Sequence, residues 1–242
     1  NEEQPLDCTQ PEPGRAPLRR LTSTEYKFAV QDLLGIEIDP TEGFPAEENV
    51  LGFDNNADAL TVTRLLAEKY FEAGERAAEA ALAEPLLLLE HVGLPCRMAR
   101  LDCVRELAQT LAYQAYRRPL EEGELDRLLL LFDVGDQQLN GFLEGVKLVI
   151  AGILQSPHFI YRIEFGEEPA EGELRRPLSD YEMATRLSLF LWVSMPDIEL
   201  FEVAERGELH TKEQIANQAR RMLEDPKARR AVRHFYTQWL NL

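Results

Sequence analysis

Three segments of the chain share a pattern that marks the start of a helix. Each has an arginine pair, then Leu, and then a capping position with Glu three residues later. The segments begin at Arg19, Arg117 and Arg175, and in the second and third a proline stands before the Leu. Ser or Thr at the cap and Glu at the third helical position satisfy two backbone N–H groups reciprocally. Thr22/Glu25 and Ser179/Glu182 therefore predict capping boxes.

Amphipathic helical periodicity follows each of these starts, and no convincing run of alternating strands is present. The sequence predicts an all-α, multi-helix fold of two or three consecutive small helical units packed together. We expect an extended Pro-rich arm at 1–17, an N-terminal unit with a GFDNN loop at 18–90, a middle unit at 91–166 and a C-terminal unit at 167–242. Pro85 to Asp102 is expected to be a linker.

Two features of the chain ends predict a processed product that continues. The first residue is Asn rather than Met, and the sequence stops on the apolar run Trp239-Leu240-Asn241-Leu242. We expect further C-terminal domains, or another subunit, to pack on this apolar end.

Charge and hydropathy exclude two classes of function. The net charge of −17 over 242 residues repels phosphate backbones, so we expect no nucleic-acid partner. No stretch reaches the roughly 18 apolar residues that a transmembrane helix needs.

Cysteine spacing predicts one disulfide. Cys96 and Cys103 lie seven residues apart in sequence, directly after a break that contains Gly93 and Pro95, and that spacing can close a small loop. Two free thiols are the alternative. A disulfide indicates an exported protein, in a periplasm or at a cell surface, and Cys8 has no obvious partner.

The GFDNN loop is the most site-like segment. Asp54, Asn55, Asn56 and Asp58 offer the hard oxygen ligands that calcium prefers, with Glu47 upstream. The spacing is not that of an EF-hand, so we favour turns closed by Asp and Asn side chains over calcium or a ligand contact.

His158, in the segment QSPHFIYR, is the one weak catalytic candidate. It could ligate haem or a metal, or act as a general base, although a lone His is more often structural. Arg117, Arg118, Arg175 and Arg176 could bind acidic sugars or carboxylates, but we expect internal salt bridges. Two aromatic clusters are expected in the core rather than as a sugar-stacking platform: Tyr181/Phe190/Trp192 and Phe235/Tyr236/Trp239.

Six segments together resemble secreted planctomycete- and myxobacterial-type proteins built from consecutive domains of unknown function. They are LRRLTSTEYKFAVQDLLG (18–35), GFDNNADALTV (52–62), AYRRPL (115–120), QSPHFIYRIE (155–164), LSDYEMATRLSLFLWVSMPD (178–197) and RRMLEDPKARRAVRHFYTQWLNL (220–242). The resemblance implies export and a helical fold. It also implies further domains, and in some relatives cytochrome c domains that carry haem, or carbohydrate-binding modules.

No convergent set of nucleophile, base or metal ligands is visible, so we favour a non-catalytic scaffold or partner-binding part of a larger protein. Part of a redox or polysaccharide-acting enzyme, completed by further C-terminal domains, is the alternative. A third hypothesis is a structural subunit of a larger assembly.

Overall fold

The computed structural model describes residues 16–139, 141–169, 171 and 176–242, and within them the all-α prediction is confirmed. The described helices are α1 (Ser23–Leu34), α2 (Arg64–Leu82), α3 (Pro85–His91), α4 (Leu101–Tyr116), α5 (Glu124–Gln138), α6 (Phe142–Gln155), α7 (Pro157–Ile160), α8 (Asp180–Trp192), α9 (Ile198–Glu205), α10 (Lys212–Glu224) and α11 (Ala228–Trp239). Two short strands, β1 (Arg19–Arg20) and β2 (Tyr161–Arg162), accompany them.

Both predicted capping boxes are present. Thr22 Oγ1 accepts the Glu25 N–H at 3.1 Å, and Glu25 Oε2 accepts the Thr22 N–H at 2.8 Å. Ser179 and Glu182 make the same reciprocal bonds at the start of α8. The middle segment keeps half of the arrangement, because Glu124 Oε2 accepts the N–H of Glu121 at 2.7 Å.

The capping glutamates also receive a second donor. An arginine six residues upstream supplies it twice, with Arg19 2.7 Å from Glu25 and Arg118 2.8 Å from Glu124. At α8 the donors are instead the N–H groups of residues 165 and 166, at 2.6 and 3.0 Å from Glu182 Oε1. The three helix starts are therefore anchored to their surroundings through the same glutamate position.

Arg117 departs from the expected internal salt bridge. Its Nη2 donates to the backbone carbonyls of His158, Phe159 and Tyr161 at 3.0, 3.1 and 2.9 Å. Burial lowers the pKa of this guanidinium to about 10, so it stays charged at neutral pH. Arg176 is exposed, and Arg175 lies outside the described residues.

The predicted linker at Pro85 to Asp102 is partly wrong, because α3 occupies its first residues. Pro85 stands at the start of α3, where the missing N–H of proline costs no hydrogen bond.

Two hydrophobic cores lie side by side. The larger joins α1 to α7, with α6 packed between α2 and α5, and it extends to Leu189 of α8 and Phe201 of α9. The smaller belongs to α8 to α11 and surrounds the buried Trp192. The predicted unit boundaries at residues 90 and 166 stay predictions.

A partly buried ionic contact links α1 to the C-terminal helices. Asp32 Oδ2 accepts from Ser194 Oγ at 2.7 Å and from Arg230 Nη1 at 2.8 Å, and Lys227 Nζ lies 3.3 Å away. Arg230 also lies 4.5 Å from the centre of the Phe28 ring.

A two-stranded antiparallel ladder was not predicted. It pairs β1 with β2, so that Arg19 lies opposite Arg162 and Arg20 opposite Tyr161. The ladder brings the first helix start next to the segment that follows α7.

The predicted disulfide between Cys96 and Cys103 is confirmed. It ties the loop before α4 to the third residue of that helix, whose N-cap, Arg100, makes no side-chain capping bond. Cys8 lies outside the described residues.

Candidate binding site between the GFDNN loop and helix α11

The GFDNN loop starts with a tight hairpin turn. Val50 and Phe53 exchange backbone hydrogen bonds of 2.9 and 3.1 Å across Leu51 and Gly52. Leu51 has φ of 55° and Gly52 has φ of 88°, and two left-handed residues at the centre of a hairpin indicate a primed turn. Leu51 is 95% exposed at the tip, so its side chain contributes no packing.

The turn places the next residues against α11. The N–H of Asp54 donates to Gln238 Oε1 at 2.8 Å, and Asp54 Oδ2 lies 3.3 Å from His234 Nε2. The rings of Phe53 and Phe235 stack with centroids 5.8 Å apart. Residues separated by 184 positions in sequence thus form one surface.

The two neighbours of His234 Nε2 favour opposite protonation states of the imidazole ring. The Nε2 amide of Gln238 lies 2.7 Å away and donates to the neutral ring, whereas the Asp54 carboxylate accepts from the protonated ring. The hydrogen bond to Asp54 raises the pKa of His234, and burial offsets part of this rise.

The other predicted loop ligands are placed differently. Asn56 Oδ1 accepts the N–H of Asp58 at 2.9 Å, which closes a turn of the kind we favoured. Asn55 and Asp58 are exposed, and Glu47 is held by Arg20 at 2.8 Å. Among the described residues no three His, Cys, Asp or Glu side chains are arranged to hold a metal, and calcium binding stays a prediction.

His158 lies in a different hollow from Asp54. Its Nδ1 is 3.2 Å from Arg118 Nη2, and its Nε2 is 3.3 Å from Glu124 Oε1. Because a guanidinium only donates, Nδ1 accepts and Nε2 carries the hydrogen that points to Glu124. The hollow beside it, of about 240 Å³, is lined by Tyr116, Tyr161 and Tyr181 among others.

The hollow beside Asp54 has a volume of about 350 Å³ and lies between β1, β2, the GFDNN loop, α8 and α11. We call it the arginine cleft. Its walls carry three guanidinium groups, two carboxylates, one imidazole and several apolar side chains: Arg19, Arg162, Arg186, Glu25, Asp54, His234, Phe53, Leu189, Phe190, Val193 and Phe235.

The outer face of α11 is apolar and exposed. Val232, Tyr236, Trp239 and Leu240 are each about half exposed, from 47% to 60%. The prediction that the aromatic clusters lie in the core is wrong for this helix and for Phe190, which is 79% exposed. It is correct for Trp192, whose Nε1 donates to the Met222 carbonyl at 2.8 Å.

Sequence reasoning missed three residues of this site. His234 lacks a ligand or catalytic spacing motif, and Gln238 and Arg162 stand out only through contacts distant in sequence. The sequence did indicate the GFDNN loop, whose Asp54 and Asn55 line the cleft, whereas the arginine pair at 19 and 20 was interpreted as part of a helix start.

Three family models match the chain in succession. Residues 19–83 match PSD3, protein of unknown function (DUF1587), and residues 103–164 match PSD5, protein of unknown function (DUF1595). Residues 178–242 match PSD4, protein of unknown function (DUF1592). The chain therefore carries three consecutive domains of unknown function. The first and last matched segments supply most of the lining of the arginine cleft, and the middle one contributes Arg162.

No curated protein and no solved structure matches the chain. In the part of the chain that the structure describes, no helix is long and apolar enough to cross a membrane.

Proposed function

We propose that the chain is a non-catalytic, partner-binding module of an exported multidomain protein. The outer face of α11, defined as Val232, Tyr236, Trp239 and Leu240, carries this proposal because it is apolar, aromatic and exposed. Contiguous apolar patches of this kind mark interaction sites, and aromatic residues are enriched at them.

The partner we propose is a further domain of the natural polypeptide. The resemblance seen in the sequence implies further domains, and an exposed apolar face of this kind suits a contact within one polypeptide. The Cys96–Cys103 disulfide supports export, because disulfides persist in oxidising compartments.

The alternative of an enzyme whose site is completed by further domains has weaker support. Both ring nitrogens of His158 already have partners in Arg118 and Glu124. Haem on associated domains stays a prediction.

Tryptophan fluorescence tests the proposal directly, because the chain has two tryptophans in opposite environments. Trp192 is fully buried and Trp239 is 60% exposed. We expect acrylamide to quench Trp239 in this chain and to lose access to it in the full natural polypeptide. A Trp239→Phe variant is the control, since it leaves only the protected Trp192 signal.

Two outcomes would overturn the proposed partner. Trp239 that is equally quenchable in both forms would show that no domain covers the face. Protection that grows with the concentration of this chain alone would instead assign the face to a second copy.

A further inference from the structure

Three arginine side chains meet at the arginine cleft, and two of them share one carboxylate. Arg19 and Arg162 lie directly opposite on the β1–β2 ladder, a position in which like charges destabilise a strand pair. Arg186 joins them from α8. Glu25 faces Arg19 at 2.7 Å, while Glu164 alone serves Arg162 at 3.1 Å and Arg186 at 2.7 Å.

Hydrogen bonding at the cleft is incomplete as well. Arg19 Nε and Asp54 Oδ1 are buried without a hydrogen-bond partner, and Arg162 Nε has only a 3.1 Å ionic contact with Glu164 that is not aligned as a hydrogen bond. All three residues line the cleft. Two further such atoms occur elsewhere in the described residues, at Arg20 and Arg76. Because buried polar groups in native proteins are almost always paired, this concentration of unpaired atoms indicates a site that a ligand completes.

Electrostatics supports the same conclusion. Burial and then the charges of Arg19 and Arg186 lower the pKa of the Arg162 guanidinium more than Glu164 and Glu25 raise it. The pKa of Arg186 is raised, chiefly by its hydrogen bond to Glu164, so the destabilised cation is Arg162. A cation destabilised by its neighbours gains from a nearby anion. The chain as a whole has a net charge of −17, so the cleft is a local exception on an acidic protein.

The cleft also offers apolar surface and length. Phe190 is 79% exposed at its rim, and Phe235 lies on the opposite wall. A second hollow of about 440 Å³ adjoins it and shares Arg162, Arg186 and Phe190. Together the two hollows can accept a ligand of more than one ring, since pockets of about 300–1,000 Å³ are typical of small-molecule sites.

We propose that the arginine cleft binds an acidic saccharide through a uronic-acid residue. Glu164 already binds Arg186 Nε and Nη2 at 2.8 and 2.7 Å. The ligand carboxylate would therefore take the remaining guanidinium N–H groups of Arg162 and Arg186. Sugar hydroxyls can donate to Asp54 and pair with the exposed amide of Asn55, and the C–H face of the ring can cover Phe190. A simple inorganic anion would leave the aromatic and hydroxyl-binding groups unused.

The test is isothermal titration of the chain with oligogalacturonate. Neutral galacto-oligosaccharide, acetate, phosphate and benzoate serve as comparison ligands at the same ionic strength. We expect oligogalacturonate to bind more tightly than each of them, and its binding to weaken at high salt because the contact is ionic.

Matched variants locate the site. Arg186→Lys keeps the charge beside Glu164 but removes the planar fork, and we expect it to raise the Kd for oligogalacturonate about tenfold. Phe190→Ala removes an exposed ring and should also weaken binding. Arg206→Lys is the control, because Arg206 pairs with Glu208 at 3.0 Å on the exposed surface.

Several results would overturn the proposal. These are no binding of oligogalacturonate, equal affinity for acetate, phosphate or benzoate, or equal loss in the Arg206→Lys variant. A urea midpoint measured for each variant separates loss of the site from loss of the fold. The proposal does not rest on docking at the outer face of α11.

Discussion

Replacing Asp32 by Asn should weaken the contact between α1 and the C-terminal helices. The carboxylate is 13% exposed and one of its oxygens faces Ser194, Arg230 and Lys227. Asparagine preserves the shape and one acceptor oxygen, so the change removes the charge and little else.

The magnitude follows from the contacts. A hydrogen bond between charged groups contributes about 1.5–3 kcal/mol, and the side chains of Arg230 and Lys227 are 28% and 32% exposed, which screens part of it. Asp32 also lies in the last turn of α1, where removing a negative charge recovers roughly 0.3–1 kcal/mol of helix-dipole energy. We therefore expect Asp32→Asn to lower the free energy of unfolding by about 1–2 kcal/mol.

Equilibrium unfolding in urea, followed by far-ultraviolet circular dichroism and by the buried Trp192, measures this difference. Asp133→Asn, an exposed substitution on α5, is the control and should change the free energy by less than about 0.5 kcal/mol. Equal midpoints for the two variants would refute the inference that this contact holds the units together.

The same contact has a predictable pH dependence. Burial raises the pKa of Asp32, but the hydrogen bond from Arg230 and the charge of Lys227 outweigh it, so the folded pKa lies below the usual value. The stabilisation is therefore present above the unfolded pKa of about 3.9 and is lost as the pH falls through the folded pKa. The difference between wild type and Asp32→Asn should shrink over that acidic range.

Three further predictions concern the helix crossing, the loop and its histidine. Gly135→Ala places a Cβ 2.5 Å from the backbone of α6, and we expect it to lower the free energy of unfolding by about 1–3 kcal/mol. In Gly152→Ala the added Cβ meets only the end of a flexible leucine side chain. The same urea experiment should show almost no change for that variant. Leu51→Asn should raise the thermal midpoint, because an exposed leucine with positive φ is replaced by a residue that tolerates it, and an unchanged or lower midpoint would contradict the strain argument. Because the folded pKa of His234 is raised, its pairing with Asp54 stabilises the fold fully below the unfolded pKa of about 6.5. This stabilisation is lost as the pH rises through the folded pKa. We expect the urea midpoint of Asp54→Asn to lack this pH dependence.

Local features of the fold were predictable because their determinants lie within one helical turn. A capping box needs two residues three positions apart, so Thr22/Glu25 and Ser179/Glu182 could be identified directly. Helix α3 was missed because Pro85 was interpreted as a break, although proline fits the first turn of a helix.

Features that depend on distant contacts could not be predicted in the same way. Strands of two residues are too short for an alternating pattern, so the ladder that opposes Arg19 and Arg162 left no periodic signal. Asp54 contacts His234 and Gln238 across two segments that are distant in sequence. Neither segment has a sequence pattern that indicates contact with the other. The cleft therefore emerged only when the topology brought β1, β2 and α11 together.

The disulfide at the start of α4 makes the local stability of that helix end depend on the redox conditions in which a sample was prepared. The first turn of α4 has no side-chain cap. The covalent bond from Cys96 to Cys103 therefore holds that turn to the preceding loop. Protein prepared in a reducing cytoplasm would lack this tie, and its amide hydrogens near Leu101 to Val104 would exchange faster while those of α6 kept their protection. Two preparations of identical sequence would then differ in local stability at one helix end, according to the compartment in which each was made.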